Sequence, residues 1–177
     1  MSQPLISVIV PTYNKGMVLV DTLEALQQQT VPFDQFEVLT MDDGSTDGTA
    51  AIIAQFSPPF EHRFVRQENL GAGQARNHGA ELAHGDILVF LDSDIVLHPE
   101  TLLVHLNAQR QFDRALMVSR ILPMTPNPNG LEDLFFQETM DFGPGEQQLT
   151  WKHTITQCLS VKKRHFQEIG GFDTTLR

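Results

Sequence analysis

Two aspartates near the middle of the chain form the most chemically informative pattern in the sequence. Asp92 and Asp94 are spaced D-x-D and directly follow five consecutive apolar residues, Ile87 to Leu91. Such a run predicts a short strand buried on both faces, and open α/β sheets bind ligands at the carboxyl ends of these strands. A carboxylate there is costly without a positive partner, so we expect an oxygen-preferring divalent cation, with phosphates completing its coordination. A turn cap beside a solvent-facing carboxylate is the alternative for an isolated D-x-D.

Two more predicted strand ends carry polar loops. The loop Pro11-Thr12-Tyr13-Asn14 follows the β-branched stretch 5–10, and Asp42-Asp43-Gly44-Ser45 follows the apolar stretch 36–41. In a doubly wound sheet the carboxyl ends of the strands converge on one crevice. We therefore expect carboxylates that are far apart in sequence to meet in space.

These loop residues suit a nucleotide with a diphosphate. Tyr13 can stack on a base, although a half-buried structural tyrosine is the alternative. Asp43 can accept a hydrogen bond from the imide N–H of uracil, while one of Asp42 and Asp43 is expected to cap the next helix. The stretch Gly71-Ala72-Gly73 opens a helix and allows an anionic group to approach the backbone. Arg76, one turn further, can pair with a phosphate or an aspartate, or can be solvated.

Strands and helices alternate along the first 121 residues. Strands are predicted at 5–10, 36–41, 62–67, 86–91 and 115–121, and helices at 17–29, 50–56, after 71–73 and from 99. This alternation is typical of right-handed βαβ units, so we predict an α/β, Rossmann-like fold: a mostly parallel central sheet with helices on both faces. The rhythm fails after Ile121; a further strand is predicted at 155–161 and a short helix at 162–169.

Composition limits the classes of protein that fit. A chain of 177 residues with 41% hydrophobic residues fits a single domain with a real core. The formal charge of -10 argues against binding a nucleic-acid backbone, and the single cysteine, Cys158, excludes an internal disulfide and a cysteine-rich zinc site. We find neither a transmembrane run nor a basic signal-peptide start, so a cytoplasmic location is expected.

Four ordered motifs resemble those of the family 2 glycosyltransferases, which have the GT-A nucleotide-diphospho-sugar transferase fold. The motifs span residues 7–14, 42–47, 71–77 and 85–94, and the resemblance resumes at 160–163 and 170–173. Four motifs in the right order are far more specific than the D-x-D alone. The resemblance implies transfer of a sugar from a nucleotide-diphospho-sugar, often a UDP-sugar, to an acceptor hydroxyl with inversion at the anomeric carbon.

The resemblance also implies roles for individual residues. Pro11, Tyr13 and Asp43 would hold the nucleoside. Asp92 would contact the ribose or the metal, and Asp94 would bind Mn²⁺ or Mg²⁺ across the diphosphate. The predicted nucleotide-sugar set is Pro11, Tyr13, Asp43, Gly73, Arg76, Asp92 and Ser93, and the predicted metal ligands are Asp92 and Asp94.

The sequence departs from the family at the catalytic base. The family's base typically follows the segment matched by residues 170–173, but the sequence ends at Arg177. The acidic pair Glu132-Asp133 falls too early for this role. We therefore expect residues 1–177 to be one incomplete domain of a longer enzyme, with a nucleotide-sugar-binding half at 1–121 and a partial acceptor-side half at 122–177. Uncovered apolar surface makes a homo-oligomer a reasonable hypothesis.

Three other functions compete with this reading. A module that binds a nucleotide-sugar without turnover would not need the base. A sugar-phosphate nucleotidyltransferase would have a basic glycine-rich loop after the first strand, and a dinucleotide dehydrogenase would have G-x-G-x-x-G there. The loop at 11–14 matches neither. The acceptor, whether glycan, lipid or small molecule, would be chosen by residues 121–155, which contain no readable motif.

Overall fold

The part of the chain that the computed structural model describes, residues 4–119 and 157–175, is organised around one six-stranded sheet. The strands are β1 (Ile6–Thr12), β2 (Phe36–Asp42), β3 (Glu61–Arg66), β4 (Ile87–Leu91), β5 (Leu116–Val118) and β6 (Cys158–Lys162). The helices are α1 (Gly16–Gln27), α2 (Thr49–Ile53), α3 (Ala72–Leu82), α4 (Thr101–Gln111) and α5 (Lys163–Glu168), with a 3-10 turn at Phe33–Gln35.

The strand order, β3-β2-β1-β4-β6-β5, reverses direction at β1. The chain moves outward from β1 to β2 and β3, then returns to place β4 on the other side of β1. All pairs among these four strands are parallel, whereas β6 runs antiparallel to β4 and β5. Ligands of doubly wound sheets bind where the order reverses, so the carboxyl ends of β1 and β4 bracket the expected site. The predicted mostly parallel α/β sheet is confirmed.

Helices cover both faces of the sheet. Alternate side chains of β1 point to opposite faces: Val8 and Val10 join a core cluster with residues of α1 and α4, and Ile9 joins a second cluster with residues of α3 and α5. Helix α3 packs very closely on the sheet at Gly79, which has no side chain. A Cβ there would come within 2.5 Å of the Ile9 Cγ2 atom. The prediction of helices on both faces is therefore confirmed, and it explains why β1, β2 and β4 are buried along their whole length.

The first strand is longer than its sequence predicts. The sequence predicts an end at Val10, before Pro11, but β1 continues through Thr12 beside β2. The β4 side of β1 is paired only as far as Ile9, opposite Phe90. The missing N–H of Pro11 therefore leaves no bond of that ladder unmade.

Other elements differ mainly in length. Helix α2 ends at Ile53 rather than near residue 56, and β5 covers only Leu116–Val118 of the predicted 115–121. The boundary between the halves at 121 and 122, the pair Glu132-Asp133 and most of the proposed acceptor segment fall outside the described residues. Within residues 4–119 and 157–175, no helix has the length and hydropathy needed to cross a bilayer.

A buried polar cluster fixes α4 to the two antiparallel strands. His105 is fully buried, and its ring nitrogens lie 2.8 Å from the Ser160 Oγ and 2.7 Å from the Ser119 Oγ. The Cys158 Sγ lies 3.8 Å from the Nε2 of His105. Burial lowers the pKa of His105 to about 4 and raises the pKa of Cys158 to about 11. Both side chains are therefore neutral at pH 7.

The His105 pKa predicts a loss of stability in mild acid. In the unfolded chain His105 has a pKa of 6.5, whereas in the folded protein it stays neutral down to about pH 4. The free energy of unfolding is therefore unaffected by His105 well above pH 6.5, and it decreases as the pH falls from 6.5 towards 4. Between pH 7 and pH 5 we expect His105 to account for a loss of about 2 kcal/mol. Urea unfolding at both pH values should show a correspondingly smaller loss in His105→Gln, and identical pH dependence in the two proteins would contradict this.

Candidate functional site

A cleft of about 350 Å³ lies at the carboxyl ends of β1, β2 and β4. It unites the loops that follow these three strands with the first turns of α3. Its lining residues are Pro11, Thr12, Tyr13, Lys15, Asp43, Ala72, Arg76, Asp92 and Ser93. The structure thus brings together groups that are widely separated in sequence, as the strand order requires.

The loop after β1 is fixed by the loop after β2. Asn14 adopts a positive φ of 52° and donates its backbone N–H to the Ser45 Oγ at 2.9 Å. In return, the Asn14 Oδ1 accepts the Thr46 N–H at 2.7 Å. These bonds place Tyr13, which is about half exposed, and Lys15 at the mouth of the cleft.

The helix-capping prediction for Asp42 and Asp43 is wrong. The Asp42 Oδ1 closes its own turn by accepting the Ser45 N–H at 3.0 Å. Asp47 holds the start of α2 instead, by accepting the Thr49 N–H at 3.0 Å. Hydrogen bonds from the Thr49 hydroxyl and backbone lower the pKa of Asp47.

Asp43 faces the loop that leads from β3 into α3 and contains Gly71, called here the glycine-rich loop. Its Oδ1 accepts from the Gln67 Nε2 at 2.9 Å and the Leu70 N–H at 3.0 Å, and its Oδ2 accepts from the Gly71 N–H at 2.8 Å. Gly71 has a φ of 94°, which disfavours any side chain there, and it is the N-cap of α3. Although Asp43 is only 4% exposed, it lines the cleft, and its Oδ2 retains capacity for one more donor.

An ion pair joins α3 to the D-x-D loop. The Arg76 Nη2 lies 2.5 Å from the Asp92 Oδ1, and the Arg76 side chain is only 11% exposed. Its guanidinium lies over the Phe172 ring, 5.7 Å from the centroid. The Arg76 Nε is buried and has no hydrogen-bond partner among the described residues. Of the pairings open to Arg76, the structure has the one with an aspartate.

The segment Gly170-Gly171-Phe172-Asp173 docks on α3 beside this ion pair. Asn77 donates its Nδ2 to the Phe172 carbonyl at 2.9 Å, and its Oδ1 accepts the Phe172 N–H at 2.9 Å. The Phe172 ring also packs edge-on against Phe90 of β4, with centroids 4.9 Å apart. The late part of the chain therefore helps to hold Arg76 in place.

A second ion pair engages the other D-x-D carboxylate. The Lys15 Nζ lies 2.6 Å from the Asp94 Oδ2, and both side chains are exposed, at 46% and 44%. Asp94 is not part of the cleft wall, but Lys15 is. Asp43 and Asp94 therefore lie at the same edge of the sheet, where the sequence predicts them: Asp43 lines the cleft, and Asp94 contacts a residue that lines it.

Most of the cleft wall consists of residues that the sequence predicts. Six predicted residues line it: Pro11, Tyr13, Asp43, Arg76, Asp92 and Ser93. Gly73 does not, because it faces Phe172 and Asp173 in the first turns of α3. Thr12, Lys15 and Ala72 were missed. Lys15 had a readable signal, since a single cation directly follows the loop expected to bind a nucleotide.

Each D-x-D carboxylate offers one oxygen to an oxygen-preferring cation. Asp92 and Asp94 each use one oxygen in an ion pair, and their second oxygens have no hydrogen-bond partner among the residues described. Carboxylate oxygens are suitable ligands for Mn²⁺ and Mg²⁺, so the donor set fits.

A separate group of possible metal ligands lies at the opposite end of the sheet. Oxygen or nitrogen atoms of Glu37, Glu61 and His84 lie within 4.8 Å of one another. The Arg63 Nη2, 2.6 Å from the Glu37 Oε2, already supplies positive charge there. We therefore treat this group as an ion-pair network rather than a metal centre.

Comparison with known proteins identifies the family of the chain. The family model "Glycosyl transferase family 2" matches residues 7–168. Validoxylamine A glucosyltransferase of Streptomyces hygroscopicus subsp. jinggangensis (strain 5008) is 31% identical over 96% of this chain and 47% of its own length. The chain thus spans about half the length of that relative.

Solved structures share the fold. TarS 1-349 of S. aureus, crystallised in complex with UDP, superposes with a TM-score of 0.73 at 23% identity, over 97% of this chain and 51% of that one. The mannosyltransferase PcManGT from Pyrobaculum calidifontis, in complex with GDP-Man and Mn2+, gives a TM-score of 0.74 at 22% identity, over 98% of this chain and 49% of that one. These similarities confirm the predicted GT-A fold. The match of the family model over residues 7–168 shows that the chain belongs to glycosyl transferase family 2.

Proposed function

We propose that the cleft binds a nucleotide-diphospho-sugar, most readily a UDP-sugar, together with Mn²⁺ or Mg²⁺. The protein would transfer the sugar to an acceptor hydroxyl with inversion. The observation that carries this proposal is one cleft containing Asp43, Asp92 and two cationic side chains, Lys15 and Arg76. The complexes of TarS with UDP and of PcManGT with GDP-Man and Mn2+ support it by similarity.

The uracil ring of the nucleotide would lie between Tyr13 and Asp43. The exposed Tyr13 ring is available for stacking, and Pro11 adds an apolar surface beside it. The Asp43 Oδ2 would accept the imide N–H of uracil while keeping its bond to Gly71. Cytosine has an acceptor at the same ring position and would be rejected.

The diphosphate would lie near the D-x-D loop. Asp92 and Asp94 would hold the cation, and the bound cation would act as a Lewis acid that neutralises charge on the departing diphosphate. Two buried atoms of cleft-lining residues, the Thr12 Oγ1 and the Arg76 Nε, have no partner within the described part of the protein. Because buried polar atoms are normally hydrogen-bonded, a polar ligand here is a reasonable source of their partners.

Transfer also needs a base that removes the acceptor proton. We assign this role to none of the residues in 4–119 and 157–175. Binding of a nucleotide-sugar without turnover is therefore the second candidate. Release of UDP from a UDP-sugar in the presence of an acceptor would separate the two.

Titration calorimetry with UDP and GDP, each with and without Mn²⁺, tests the donor site. We expect UDP to bind only weakly without Mn²⁺. In Asp94→Ala we expect Mn²⁺-dependent affinity to fall at least ~10-fold, since a carboxylate ligand is lost. Asp113→Ala is the matched control, because Asp113 is another exposed aspartate paired with a lysine, Lys162. Metal-independent binding, or equal affinity in Asp94→Ala and the wild type, would refute the proposal.

A further inference from the structure

The two D-x-D carboxylates are paired with cations of very different exposure to solvent. Arg76, which holds Asp92, is largely buried and is also fixed by the Phe172 ring. Lys15, which holds Asp94, is about half exposed and projects from a loop at the cleft mouth. The Arg76–Asp92 pair is part of the cleft wall, whereas the Lys15–Asp94 pair is exposed to solvent.

The difference decides which cation a metal would displace. An exposed lysine–carboxylate pair contributes little free energy, because water screens it and ordering two side chains has an entropic cost. The lysine ammonium is a point charge on a flexible stem, whereas the guanidinium of Arg76 is planar and packed. A divalent cation that binds Asp94 therefore competes with Lys15, while Arg76 can stay on Asp92.

We propose that Lys15 is a positioning residue that couples metal binding to nucleotide binding. Before the metal arrives, Lys15 neutralises Asp94. With a metal bound at Asp94, the Lys15 ammonium would leave this carboxylate and pair with the diphosphate at the cleft mouth. This inference rests on the proposed donor site. Because binding free energies are reciprocal, the metal and the nucleotide should each strengthen binding of the other by the same factor.

The coupling distinguishes an exchanging lysine from a fixed nearby charge. A positive charge that stayed in place would change Mn²⁺ affinity by the same factor with and without UDP. A lysine that exchanges partners weakens binding of Mn²⁺ alone but strengthens UDP binding when Mn²⁺ is present. Removing an exchanging lysine should therefore tighten binding of Mn²⁺ alone and reduce the factor by which Mn²⁺ and UDP strengthen each other's binding, whereas removing a fixed charge should leave that factor unchanged.

The experiment measures four dissociation constants by calorimetry: Mn²⁺ with and without UDP, and UDP with and without Mn²⁺. For Lys15→Met we expect Mn²⁺ alone to bind roughly two- to fivefold tighter, the range of an exposed ion pair. The factor by which UDP tightens Mn²⁺ binding should fall about threefold or more. Lys15→Arg should retain most of the coupling, because it keeps the charge.

Lys162→Met is the matched control. It makes the same change in charge at another lysine–aspartate pair, with Asp113 at 3.1 Å. Lys162 lies opposite Ile87, at the end of β4 away from the D-x-D. It should keep all four wild-type constants.

The outcomes separate this inference from the function on which it rests. If the wild type binds both ligands and Lys15→Met retains the full coupling factor, the exchange is wrong and the donor site stands. A loss of coupling in Lys162→Met as large as in Lys15→Met would also overturn the exchange. If the wild type binds neither Mn²⁺ nor UDP, the donor site and the exchange both fall.

Discussion

Asp43→Asn is expected to lower UDP affinity about 100-fold, the upper range for a hydrogen bond to a charged group. Three protein donors and the proposed imide N–H all need the acceptor-only character of the carboxylate. An amide at this position can keep its oxygen toward Gln67 and Leu70. Its NH₂ group then faces the Gly71 N–H and the ligand N–H, so donors oppose donors.

The same change should alter base preference. Cytosine offers a ring acceptor where uracil offers a donor, so Asp43→Asn should lose the preference for UDP over CDP. Calorimetry with both nucleotides at saturating Mn²⁺ measures the ratio. Asp21→Asn, on the exposed side of α1, makes the same chemical change away from the cleft and should bind like the wild type. A folded Asp43→Asn protein with the wild-type UDP-to-CDP ratio would refute this role.

Glu37→Ala is expected to lower the free energy of unfolding by about 3–5 kcal/mol, as when one partner of a buried ion pair is removed. The fully buried carboxylate accepts from the Ser7 Oγ at 2.6 Å, the Arg63 Nη2 at 2.6 Å and the His84 N–H at 2.5 Å. Burial raises the pKa of Glu37, but hydrogen bonds from Ser7, His84 and Arg63 outweigh burial and lower it overall. The substitution leaves these donors without their acceptor.

Denaturant unfolding at pH 7 checks the Glu37 prediction. Glu24→Ala is the control, since Glu24 is an exposed glutamate on α1 that does not belong to this network. Its free energy of unfolding should stay within about 0.5 kcal/mol of the wild type. If Glu37→Ala lowered the free energy of unfolding by less than about 1 kcal/mol, the network would be no stronger than an exposed ion pair, and the prediction would be wrong.

The cleft could be predicted because the strands that form it have clear local sequence patterns. The apolar run Ile87 to Leu91 and the turn-forming residues after it fix where β4 ends. The doubly wound order then brings that end beside the ends of β1 and β2. Most lining residues follow from these two facts.

Other features depend on contacts that no local pattern contains. Asp42 and Asp43 look alike in sequence, but one closes a turn and the other faces the glycine-rich loop. The contact between Lys15 and Asp94 depends on the left-handed backbone of Asn14. The residues of β6 predict a strand, yet nothing in them specifies that it runs antiparallel to β4.

The late position of β6 in the chain has a consequence for biosynthesis. Cys158 pairs with Leu91, so the outer edge of β4 is completed by residues that leave the ribosome long after β1 to β4. Closing so long a loop is entropically expensive and slow. The nascent chain should therefore assemble β1 to β4 first and carry an open strand edge, which is prone to aggregation, until residues 158–162 emerge.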